Sequence, residues 1–321
     1  MRPWCVLAAL ALSCTATERA AESTPTTTPH AGAAPSATRS LGPASEFDAL
    51  YYPADPTLFE KKRPPREGEW LARFKEPGQS FLRYQSGKPI RPTAERSVIV
   101  LQPLGIFDRR QGTFVEEMRE VMAAFFALRV EVRKPLPLPT KGRRTKRDGD
   151  RVWTQHHTRV LLDEVLEPHL PKNAVVYVGV TLEDLYPDPS WNFVFGQATL
   201  EDRVGVYSLA RFFPAFWGRP VTPESDVHAW AKSAQILVHE TGHAFSLAHC
   251  TEYECVMNGS NSQEELDGQF GELCPACLRK LAWNIGFEPK SRYEKLREIY
   301  RRKGVGDLER WLDRRLAQLG R

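Results

Sequence analysis

Between His239 and Cys250 the chain carries three imidazoles, a carboxylate and a thiol, the side chains from which a metal-dependent hydrolase is built. In His239-Glu240-Thr241-Gly242-His243 the two histidines stand four residues apart. A helix therefore sets them on one face, a turn apart, where both can grip one ion. Glu240 then projects beside them toward a metal-bound water. His249 falls outside that spacing, and it can join only if the helix stops just after His243 and the chain turns back. The set would then be a three-histidine zinc with an open fourth position. Zinc of that kind lowers the pKa of bound water from about 15.7 toward about 7, and Glu240 would take its proton as the water attacks a carbonyl. The predicted reaction is cleavage of an amide.

A second donor set is fused to the first. Cys250 follows His249 directly, and with Cys255, Cys274 and Cys277 it makes a C-x4-C and a C-x2-C pair. Four thiolates close a tetrahedral structural zinc and leave no open position. Two disulfides are the competing reading in an exported protein. His228 stands eleven residues before His239, about 16 Å away along a helix, and is not expected to be a ligand.

Taken together, HExxH, a third His six residues later, the adjoining Cys, Cys255-Val256-Met257 and Cys274-Pro275-Ala276-Cys277 resemble the archaemetzincins, a branch of the metzincin zinc peptidases. The resemblance covers roughly residues 97–286 and includes Asp184-Leu185, Phe193-Val194-Phe195-Gly196 and Tyr207-Ser208-Leu209-Ala210-Arg211. It implies His239, His243 and His249 as catalytic zinc ligands, Glu240 as general base and Met257 as the residue of the turn beneath the metal. It also favours zinc over disulfides at the four cysteines, giving two Zn2+ per chain, one catalytic and one structural. The implied fold is α+β and metzincin-like: a mixed, mostly parallel sheet with backing helices, an active-site helix, and a small C-terminal subdomain with the Met-turn and the four-cysteine zinc site. A peptide or protein is the implied substrate, with aminopeptidase and endopeptidase action both open. The rival reading is a non-catalytic, zinc-stabilised peptide- or protein-binding domain. One residue departs from the pattern: metzincins carry Gly three residues after the second His, and this chain has Ser246. A serine at positive φ costs about 1 kcal/mol, and the expectation is that the thiolate-held loop braces it from below.

The elements that must position these residues read as alternating strands and helices. Residues 97–105 form a buried β-branched strand, and 113–128 a helix with Thr113 as N-cap. Residues 129–134 alternate as a strand, and the basic run 141–147 reads as a solvated loop. Residues 155–166 read as an amphipathic helix with His156 and His157 at its surface, and 174–180 as a buried strand. Residues 191–196 and 204–208 suggest a hairpin, either interior or exposing an edge on which an extended peptide can pair. The metal helix spans 226–245 with Asp226 as N-cap, and two helices, 293–302 and 307–319, dock at the C-terminal end.

A chain of 321 residues, 41% hydrophobic and 10% aromatic, can bury a sizeable core. Its net charge of +4 is too slight for a dedicated nucleic-acid binder, so no nucleic acid partner is expected. At the N-terminus, Arg2, the apolar run Trp4 to Leu12 and the small residues that follow resemble a secretory signal. Ala11-Leu12-Ser13-Cys14 is similar to a bacterial lipoprotein box, which would leave a lipid on Cys14. The expectation is an exported monomer, either a membrane-anchored lipoprotein or periplasmic or secreted, with membrane contact only through Cys14. The parts run as a signal peptide (1–14), a Thr/Ala/Pro linker (15–45), an irregular strap (46–96) read mainly as packing, the peptidase domain (97–289) and C-terminal helices (290–321).

Overall fold

The computed structural model describes residues 4–9, 51, 56–199 and 202–320. The expected lipid site at Cys14 and the linker 15–45 lie outside them. Among the described residues nine strands form one mixed sheet in the order β3 (Arg129–Val132), β2 (Val98–Leu104), β6 (Ala174–Thr181), β9 (Val204–Ser208), β8 (Phe193–Thr199), β7 (Asp184–Tyr186), β5 (Arg151–His157), β4 (Arg143–Asp148), with β1 (Trp4–Ala9) against β8. Strand β1 is Trp4–Ala9, and its backbone pairs antiparallel with β8, Leu7 opposite Gly196. The strap contributes two short helices, α1 (Trp70–Arg73) and α2 (Phe81–Ser86), between irregular stretches.

Strand β2 (Val98–Leu104) is buried along its whole length and starts the parallel half of the sheet, β3 (Arg129–Val132), β2, β6 (Ala174–Thr181) and β9 (Val204–Ser208). Strands β2, β6 and β9 are covered on both faces, which is why they read as unbroken apolar runs, whereas the edge strand β3 alternates, with Val130 buried and Arg129 exposed. Ile99, Leu101, Val176, Val178 and Val180 face α3 (Arg109–Phe126) and the active-site helix. Val98, Val100 and Tyr177 face the opposite way, toward Leu161, Leu162 and Leu166. Antiparallel pairings add most of the rest: the hairpin β4 (Arg143–Asp148) and β5 (Arg151–His157), the short β7 (Asp184–Tyr186), which is antiparallel to β8 but parallel to β5, and β8 (Phe193–Thr199), which turns back on β9. The sheet is mixed, with a parallel core.

Several local expectations are corrected. The stretch 155–166 is split: His156 and His157 end β5, and helical turns begin only at Thr158. His156 is buried, 4% exposed, and not a surface helix residue. The basic run is not a loop but β4, whose two-residue period pairs it with β5 while most of its side chains face water. Arg144 is the exception, folding onto the Tyr186 ring and donating to the carbonyls of Trp191 and Asn192. Helix α3 is capped by Asp108, not Thr113, through a capping box with Gln111. The active-site helix, α4 (Pro223–Ala244), starts at Thr222 with Pro223 behind it and Ser225 closing the box, four residues earlier than Asp226.

After α4 come α5 (Gln263–Asp267), α6 (Pro275–Ile285), α7 (Pro289–Lys303) and α8 (Gly306–Leu319). The last two dock on the domain as expected. Arg292 pairs with Glu272 in full burial and donates to the carbonyl of Phe125, and Trp311 donates its indole N–H to the carbonyl of Leu58. No helix among the described residues is long and apolar enough to cross a membrane.

Candidate active site

Helix α4 is buried from Ser233 through Ala244, so His239, Glu240 and His243 project from a rigid, water-excluded rod. The rod ends where the argument from spacing requires: Phe245 caps it, Ser246 takes φ +65, and the chain doubles back to His249. The three imidazoles meet, with ring centroids 4.6, 4.8 and 5.5 Å apart. One donor atom from each lies within 4.8 Å of the others.

Hydrogen bonds on the outer nitrogens fix which atoms face inward. His239 Nδ1 lies 2.6 Å from the carbonyl oxygen of Val256, and His243 Nδ1 lies 2.6 Å from that of Leu247. A carbonyl oxygen only accepts, so each Nδ1 carries the proton and each Nε2 presents a bare lone pair. Those two Nε2 atoms face each other at 3.0 Å, and His249 Nε2 is buried without a hydrogen-bond partner. Lone pairs in that arrangement need a cation between them. Two ligands at about 2.05 Å in tetrahedral geometry would stand about 3.3 Å apart, close to what is seen. Burial, then the neighbouring imidazoles, holds His239 well below the usual histidine range and His243 down at about 3, so both are neutral and available as ligands.

Glu240 lies one residue along the same helix, 1% exposed, with Oε1 lacking any partner among the described residues. Burial alone pushes its carboxyl up to about 8. The Tyr207 hydroxyl is also buried and unpartnered; burial and the Glu240 carboxyl raise its pKa well above the ordinary value.

The four cysteines collect beside this cluster, buried and not joined to one another, with Cys250 and Cys274 sulfurs 3.6 Å apart. Backbone N–H groups point at the sulfurs: Met257 and Cys274 at Cys255, and Cys277 at Cys274. Hydrogen bonds from the other thiols pull Cys250 down, whereas burial pushes Cys255 up. Four crowded thiols that cannot all ionise without a counter-charge match a divalent, thiolate-bound ion. Met257 sits between the clusters, and its main-chain carbonyl accepts from Cys250 N at 2.7 Å. Its side chain lies under α4, where a Cβ on Gly242 would meet Sδ at 2.6 Å.

All nine residues singled out from the sequence therefore fall in or between two adjacent clusters. His228 does not; it pairs with Asp267 at 3.3 Å. Sequence reasoning missed the strap. Glu76 places both carboxylate oxygens on His249 Nδ1, at 2.8 and 3.1 Å. Gln79 brackets the turn, donating to the carbonyl of Ser246 and accepting from Ala248 N, and Ile90 N donates to Ser246 Oγ. Ser246 is thus braced directly by the strap and not by the cysteines, whose sulfurs accept from the N–H groups of Met257, Cys274 and Cys277. No local signal reveals such contacts. The need for a small residue at Gly242, an unspecified position of HExxH, likewise shows only once the fold lays Met257 against it.

A helix-borne HExxH whose two histidines converge with a third in a dry pocket under a mixed sheet defines a metallopeptidase. A model of peptidase family M54 matches residues 158–283. Archaemetzincin-2 of Pongo abelii is 33% identical across 71% of this chain and 71% of its own length. The archaemetzincin of Thermococcus kodakarensis is 41% identical over 112 residues, 35% of this chain and 58% of its own. The crystal structure of archaemetzincin from Archaeoglobus fulgidus, complexed with malonate, aligns over 57% of this chain and 99% of its own, at 27% identity and a TM-score of 0.44. The chain belongs to the archaemetzincins, peptidase family M54, and is a zinc metallopeptidase acting on peptides or proteins.

Proposed function

We propose that His239, His243 and His249 hold the catalytic zinc through their Nε2 atoms, that Glu240 is the general base, and that Cys250, Cys255, Cys274 and Cys277 hold a second, structural zinc. The observation that carries this reading is the fixed tautomer of His239 and His243, whose bare Nε2 atoms face each other. When bound, zinc supplies a Lewis acid that polarises the scissile carbonyl and makes water acidic enough to lose a proton near neutral pH. The chain supplies the rest. Glu240 accepts the proton as the water oxygen bonds to the carbonyl carbon, then passes it to the amide nitrogen as the carbon–nitrogen bond breaks. Glu240 Oε1 has no hydrogen-bond partner among the described residues, so that oxygen is free to take the proton and hand it on. Met257 is the residue of the Met-turn: packed against Gly242 and tied to Cys250, it keeps the floor of the His cluster in register with the thiolates.

The outer side of β8 is where an extended substrate would lie. Support comes from β1, which pairs antiparallel with that strand along residues 193–199, where β7 reaches it only at Val194, so that β8 still has backbone groups able to accept a chain. The export reading belongs to the same proposal: cleavage before a lipidated Cys14 would remove Trp4–Ala9 from β8 and leave a monomer on a tether. A Cys14→Ser protein that still takes up labelled palmitate would contradict lipidation at Cys14.

The mechanism is tested with Glu240→Ala. Peptide hydrolysis should fall by about 10²- to 10⁴-fold or more, while zinc content per chain stays at the wild-type value. Full activity in that variant would refute the role given to Glu240.

A further inference from the structure

Two of the three histidines hand their Nδ1 protons to backbone carbonyls that follow them in the chain. His249 alone is given a charged acceptor, and it comes from Glu76, 173 residues earlier. The carboxylate is three-quarters buried and the His249 side chain is 7% exposed, so this is not a surface ion pair washed out by water. The surrounding contacts aim at the same loop. Tyr84 donates to the carbonyl of Phe245 at 2.7 Å and is itself held by Asn284, Gln79 spans Ser246 and Ala248, and the Trp70 indole meets the His249 ring edge-on at 5.0 Å. Gly78 makes the approach possible. It takes φ +67, and a Cβ there would lie 2.5 Å from Thr251 Oγ1.

We infer that Glu76 is a positioning residue of the metal site, and that the segment from Trp70 to Ile90 is a working part of that site and not only packing. This rests on the reading of His249 as a zinc ligand. A carboxylate on Nδ1–H fixes the tautomer and the plane of the ring, makes Nε2 a stronger donor, and offsets part of the dipositive charge that three neutral imidazoles leave on the metal. His249 needs this most, because it sits on a turn instead of a helix and enters through a serine at positive φ. The two helical ligands are placed by α4; the third is placed by the strap.

The test uses the full-length, zinc-loaded protein and a chelator series at neutral pH, with Glu76→Ala, Glu76→Gln, Arg91→Ala and His249→Ala beside the wild type. Arg91 anchors the strap through the carbonyls of Trp283 and Asn284 without touching the His cluster, so its variant loosens packing and spares the carboxylate. Expected is a 10- to 100-fold weaker hold on one zinc in Glu76→Ala, with a smaller loss in Glu76→Gln, whose amide oxygen can still accept. Arg91→Ala should match the wild type. Nitrogen-15 spectra of labelled histidines should show the protonated Nδ1 of His249 shifted in Glu76→Ala while those of His239 and His243 stay put. Wild-type zinc retention and an unshifted His249 in Glu76→Ala would overturn the inference, as would an equal loss in Arg91→Ala. If His249→Ala held both zinc ions as tightly as the wild type, the three-histidine reading itself would fall.

Discussion

The two donor clusters share a peptide bond, His249 to Cys250, yet they are assembled in opposite ways. The thiols come from one continuous stretch, Cys250 to Cys277, and are dressed by that stretch's own N–H groups. The imidazoles draw on a helix, a turn and a strap glutamate far away in sequence, and they keep an unpaired buried carboxyl beside them. A cluster that only has to hold can be written locally. A cluster that has to react needs each donor's tautomer set in advance and a proton carrier left free, and that requires parts from across the fold.

The largest test of that contrast is Cys277→Ser. A closed thiolate zinc adds about 10–16 kcal/mol of apparent folding free energy in small domains, so losing one ligand should lower the calorimetric melting midpoint by more than about 10 °C. The His cluster should lose metal with it, because Cys250 N and Val256 O tie the clusters together. A variant melting within about 2 °C of the wild type would show that the Cys cluster is not the scaffold.

Next in size is Gly242→Ala. The added methyl meets Met257 Sδ and Cε at 2.6 and 3.1 Å, an overpacking cost of about 1–3 kcal/mol that outweighs the roughly 1 kcal/mol gained in helix propensity. Urea unfolding should therefore show a net loss of stability. A net gain would mean that Met257 is free to move and does not set the floor of the site.

The smallest effect is expected at Ser246→Gly. Relief of φ +65 and loss of the bond from Ile90 N are each worth about 1 kcal/mol and oppose each other, so the midpoint should move by less than about 3 °C. A larger drop would make the serine hydroxyl a required bridge between strap and turn.

How much was legible follows from the same contrast. His239, Glu240, His243, His249 and the four cysteines stood out because ligand spacing on one helix and one loop is a local property. The buried strands at 98–104, 174–181 and 204–208 were visible for the same reason, being β-branched runs covered on both faces. His156 and His157 were misplaced because their neighbours 158–166 carry a helical period that masks the alternation of β5 just before them. The caps at Asp108 and Thr222 were missed because the apolar stripe begins several residues after each helix does. Glu76 gave no signal at all: a glutamate in a proline-rich stretch looks like any other until the fold lays it on His249.

The measurement that bears most directly on the account is anomalous X-ray scattering at the zinc edge from crystals of the purified protein. Two peaks per chain are predicted, one among the Nε2 atoms of His239, His243 and His249 with a fourth position not taken by protein, the other among four sulfurs. A single peak, or density joining the cysteines as disulfides, would contradict it.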